Sequence, residues 1–81
     1  MGKRGTKPMP SRAWMPIVRE LFEHIDAAQL THLETSKMVG VSEHTVSRWR
    51  RGPEAPRLFH LECAANAVGY KVALVPMEPG E

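Results

Sequence analysis

Gly40 is the residue that most restricts how this chain can fold. It separates two short stretches of helical character, LTHLETSKMV and SEHTVSRWRR, through a turn of only three residues, Gly40-Val41-Ser42. Thr31 can cap the first stretch, with Glu34 three residues later completing a capping box. Gly40 then closes that helix in the left-handed conformation that glycine adopts without steric cost. Ser42 caps the second stretch, and Gly52-Pro53 stops it. Val46 and Trp49 share a face and point inward with Val41 from the turn, so Glu43, His44, Thr45, Ser47, Arg48 and Arg51 must point elsewhere. Ser36 is small enough for the two helices to approach closely.

The flanking segments supply the rest of a core. Trp14, Ile17, Val18, Leu21, Phe22 and Ile25 recur at steps of three and four, which predicts a helix from about 14 to 28 with Pro16 in its first turn. After Pro56, a further helix carries Leu58, Leu61, Ala65 and Val68 on one face, and Gly69 ends it. The period then changes. Tyr70, Val72 and Leu74 alternate with Lys71, Ala73 and Val75, the pattern of a short strand that Pro76 breaks. A lone strand needs a partner, and the economical one is the same strand of a second molecule about a two-fold axis. The alternative is an irregular tail lying on the core. The expected organisation is a flexible basic arm (1–12), a helical domain (13–69), a dimerisation strand (70–76) and a disordered tail (77–81).

The formal charge of +2 is unevenly spread. Lys3, Arg4, Lys7 and Arg12 lie together with no acid, and Arg48, Arg50, Arg51 and Arg57 are opposed locally only by Glu54. Such patches concentrate an anionic polymer even on a nearly neutral body, although a solvated tail and helix face would have the same composition. No apolar run is long enough to span a bilayer, and no apolar segment follows the basic start as in a secretory signal, so a cytoplasmic location is expected. Catalytic signals are weak. His24, His32, His44 and His60 fall in four different helices; His60 and Cys63 are one turn apart, but no second pair completes a zinc site. Glu20 and His24 read as a surface pair. With no glycine-rich phosphate loop and no nucleophile motif, the expectation is a non-enzyme without metal or cofactor.

Two short helices joined by a glycine-containing turn have the helix-turn-helix layout, in which the second helix enters the major groove of DNA and the first braces it. From Leu30 to Tyr70 the chain resembles, without gaps, the Cro and phage-repressor (XRE-type) helix-turn-helix family. The resemblance rests on G-V-S at 40–42, T-V-S-R-W at 45–49, Gly52, Pro56, Leu61, Ala65 and A-V-G at 67–69. It implies an all-α fold of four to five helices, lambda-repressor-like, here with a short C-terminal β-strand in place of a fifth helix. That replacement is similar to several antitoxins and short regulators. Departures include His32 where glutamine is frequent, Thr35 and Ser36 where leucine and alanine are usual, and Arg50 where an acid often follows the tryptophan.

The family's base-contacting positions match Glu43, His44 and Arg48, and side-chain chemistry adds Ser47. Arg48 is the foremost, because its planar fork can donate two hydrogen bonds to O6 and N7 of a guanine. Glu43 can accept from cytosine N4, but an acid in a first helical turn is equally explained by the helix dipole. Thr31, His32, Ser42, Thr45, Arg50, Arg51 and Arg57 are expected at phosphates, with the arm cations Lys3, Arg4, Lys7 and Arg12 adding sequence-independent affinity. Tyr70, Val72 and Leu74 would form the dimer interface. The function these features imply is a homodimeric transcriptional regulator, a repressor, on a pseudo-palindromic operator in double-stranded DNA. Two rivals are an antitoxin that also binds a toxin and a protein-interaction module that does not bind DNA.

Overall fold

The computed structural model describes residues 9–80, among which there are four helices: α1 (Pro16–Ala27), α2 (His32–Val39), α3 (Glu43–Arg51) and α4 (Leu58–Ala67). The arm cations Lys3, Arg4 and Lys7, and Glu81 of the expected tail, lie outside the described residues. α2 packs on both α3 and α4, and α1 closes the bundle against the same two helices. One core results. It joins Val18, Leu21, Phe22 and Ile25 of α1 to Val39, Val46, Trp49, Leu61, Ala64 and Ala65, with Ala13 filling the end.

α1 begins two residues later than the periodicity predicts. Pro16 occupies its first turn, and the residue before a proline is driven to extended backbone, as Met15 is (φ −89°, ψ 127°). Trp14 therefore lies ahead of the helix and is 73% exposed, and Ile17 is also exposed, so neither belongs to the buried stripe. Arg19 holds this entry in place, donating through Nη1 to the carbonyls of Ala13 (2.6 Å) and Trp14 (3.2 Å). The small Ala13 enters the core in place of the tryptophan.

The α2–α3 hairpin forms as its caps predict. Thr31 Oγ1 accepts from the Glu34 N–H (3.0 Å), and Glu34 Oε1 accepts from the Thr31 N–H (2.9 Å). Gly40 takes φ 91°, and its N–H and that of Val41 both donate to the Ser36 carbonyl (2.8 and 3.1 Å). Ser42 Oγ accepts from the Thr45 N–H (3.0 Å). Thr35 and Ser36 are buried with their hydroxyls satisfied, donating back to the carbonyls of Thr31 (2.9 Å) and Leu33 (2.7 Å).

α4 buries Leu61, Ala64 and Ala65; Val68 caps it half-buried, and Leu58, in the first turn, is exposed rather than on the core face. Gly69 follows with φ 91°, letting the Tyr70 N–H reach the Ala65 carbonyl (2.8 Å). The expected strand is not seen: residues 70–78 are irregular. Every other described element is helical, so the segment has no sheet edge to pair with in its own chain. Val72 packs against the core and the Tyr70 ring stacks on His24 at 4.0 Å, but Leu74 is fully exposed. Among the described residues, no helix is long and apolar enough to cross a membrane.

Candidate nucleic-acid interface

α3 divides into two faces. Val46, Trp49 and Arg50 are buried, while Glu43, His44 and Arg51 are exposed and Ser47 and Arg48 half-buried. At about 100° per residue, the positions 43, 44, 47, 48 and 51 fall on one arc, opposite the core. The four expected base readers thus share one accessible side of one helix. Arg48 is held there by a carboxylate just past the helix end, with Nε donating to Glu54 Oε1 (2.8 Å) and Nη2 to Glu54 Oε2 (3.3 Å). Glu54 carried no signal in the sequence beyond its opposite charge.

The residues expected at phosphates separate into three groups. Arg51 and Arg57 are exposed, Arg57 as the N-cap of α4, and Arg12 is exposed on the segment leading into α1. Thr31 and Ser42 are the N-caps of α2 and α3, and Thr45, the third residue of α3, is the partner of Ser42. The Thr31 hydroxyl donates its one hydrogen to Glu34 Oε1 (3.2 Å) while accepting from the Glu34 N–H, and the Glu34 carboxylate occupies the start of α2 where an anion would bind. Ser42 Oγ and Thr45 Oγ1 share one hydrogen bond of 2.9 Å, which leaves one of their two hydroxyl hydrogens for an outside acceptor.

Arg50 and His32 form the third group, and both turn inward. Arg50 is 7% exposed. Its guanidinium donates to Asp26 Oδ1 (2.6 Å) and Oδ2 (3.1 Å), to the Met9 carbonyl and to His32 Nε2 (2.8 Å), and its Cζ lies 4.6 Å from the centre of the Phe22 ring. The Arg50 carbonyl in turn accepts from the Arg12 N–H (2.7 Å) and Ser11 Oγ (3.0 Å). This one residue therefore ties α3 to α1, to α2 and to the segment entering α1. An arginine so committed has no fork left for a phosphate. His32 accepts from it, so its Nε2 carries no proton; burial first, and then the Arg50 cation, hold its pKa below the ordinary value of 6.5.

Glu20 and His24 approach to 3.9 Å on α1. His60 lies 6.0 Å from the Trp49 ring, and Cys63 is half-buried against the core. Among the described residues no cluster of three or more His, Cys, Asp or Glu could hold a metal ion. No family model matches the chain, and comparison with curated proteins and with solved structures finds no match either.

Proposed function

We propose that this chain is a sequence-specific DNA-binding regulator that acts as a repressor, with α3 as its recognition helix. The supporting observation is the accessible face of α3. It carries Glu43, His44, Ser47, Arg48 and Arg51 on a short helix that follows a three-residue turn, while the opposite face is locked into the core by Val46, Trp49 and Arg50. A helix fixed on one side and lined with forked and hydroxyl donors on the other suits a groove whose base edges display acceptors. Arg48 reads guanine, His44 and Ser47 reach neighbouring base edges, and Arg51, Arg57 and Arg12 neutralise backbone charge. Repression then requires no chemistry, since occupancy of a promoter excludes polymerase.

A pseudo-palindromic operator bound by a homodimer accompanies this reading. Its support is the C-terminal segment, where Leu74, Val75 and Met77 are exposed on irregular backbone. Pairing with the same segment of a second copy would bury these side chains and supply the partner a strand requires. A toxin occupying the same surface is the second reading, and the mass of the assembly formed by the purified chain alone separates the two. The DNA reading is tested by selecting duplexes from a random pool. A palindromic consensus is expected from the parent protein, with one guanine per half-site lost in Arg48→Ala.

A further inference from the structure

Arg48 and Glu54 meet in a defined way. The carboxylate takes the side of the guanidinium formed by Nε and Nη2, at 2.8 and 3.3 Å, with both side chains about half exposed (42% and 46%). A guanidinium has five N–H donors in a rigid plane. Side-on pairing uses the Nε hydrogen and one hydrogen of Nη2, leaving the second Nη2 hydrogen and one from Nη1 as a parallel pair at the outer end. That outer pair can donate to O6 and N7 of a guanine, the bidentate contact arginine makes with that base.

We propose that Glu54 is a positioning residue for base recognition: it fixes the plane of the Arg48 guanidinium so that its end-on fork faces a guanine in the major groove. The inference rests on the DNA-binding reading above and deepens it. An unpaired arginine on a flexible stem samples many orientations, and its charge is satisfied as well by a phosphate as by a base. Pinning one edge removes that freedom before binding and lowers the net charge available to a phosphate, so the residue is biased toward a partner with guanine's geometry. Glu54 itself approaches the DNA as an anion. It therefore contributes selectivity at the expense of general affinity, the pattern expected where discrimination is the selected property.

The test uses the full chain and a pool of randomised duplexes, with selections run for the parent, Arg48→Ala, Glu54→Ala and the double variant. The parent should enrich a guanine that Arg48→Ala no longer enriches. Glu54→Ala should keep its fold and bind random duplex at least as well as the parent. Its preference for that guanine should nevertheless fall about tenfold, within the range of a bidentate arginine–guanine pair. In the Arg48→Ala background the Glu54 change should have no further effect on that position. If Glu54→Ala keeps the full preference, or tightens binding to every duplex equally with the preference intact, Glu54 is not a positioning residue. If the parent binds no duplex, the DNA-binding reading itself falls, and a guanine preference that survives Arg48→Ala removes the base reader on which Glu54 would act.

Discussion

Arg50 shows how far the chemistry of a side chain depends on its neighbours. By type and position it belongs with Arg48 and Arg51 in one basic helix end, yet it is buried, bonded to Asp26, His32 and Met9 and stacked over Phe22. The sequence holds a signal for this: 46, 49 and 50 are spaced as one helical face, so the register that buries Val46 and Trp49 carries Arg50 in with them. It does not hold the partner, because Asp26 lies on another helix and its proximity is a product of packing. Removing one member of such a pair leaves the other poorly solvated, so Arg50→Ala should lower stability by about 3 kcal/mol. Arg50→Lys, which keeps the charge but not the fork, should also lower the denaturation midpoint. Chemical denaturation measures both, and an Arg50→Lys protein as stable as the parent would contradict the structural role. His32 makes a separate prediction. Its folded pKa is depressed below 6.5, so the unfolded chain takes up the proton more readily. Stability should therefore fall as pH drops from about 6.5 toward the folded pKa, and His32→Gln, which keeps an acceptor without titrating, should flatten that part of a melting-temperature profile against pH.

At the scale of elements, the terminators were the most legible features. Thr31 with Glu34, Ser42, Gly40 and Gly69 act as their types and spacing predict, because caps are settled within a few residues of chain. The start of α1 departs from its periodicity for an equally local reason: the helical spacing of Trp14 and Ile17 runs through Pro16, but the backbone preference of Met15 prevails. The end of α1 carries no glycine at all. Gln29 takes the left-handed conformation there (φ 60°), while the Leu30 N–H donates to the Ile25 carbonyl (3.2 Å) as in other left-handed helix ends. A side chain in that region costs about 1–2 kcal/mol, part of which glycine returns through its freer unfolded state. Gln29→Gly should accordingly raise stability by up to about 1 kcal/mol in denaturant titration, whereas a loss would show that the Gln29 side chain contributes more than its backbone costs. The alternation at 70–75 has the period of a strand, but period alone does not supply a partner, and among the described residues the pattern has no sheet to join.

For the whole molecule, the proposed function draws on two surfaces, the accessible face of α3 and the exposed C-terminal segment. The helix face offers donors and charge; the C-terminal segment offers Tyr70, Leu74, Val75 and Met77, all exposed. If both serve one dimer on DNA, deleting residues 70–81 should weaken self-association and duplex binding together, because two half-sites reinforce each other only when the modules are joined. Sedimentation and duplex titration of the truncated chain check this, and a truncated protein that still dimerises would remove the segment from the interface. The central claim concerns α3 and is tested most directly by titrating a duplex selected by the parent with parent and Arg48→Ala protein, alongside a scrambled duplex. Arg48→Ala should bind the selected duplex about tenfold more weakly and the scrambled one nearly as the parent does, so that the preference between them collapses. Equal preference by both proteins would contradict base reading by Arg48, and no binding of either duplex at low salt would contradict the assignment of α3 as a recognition helix.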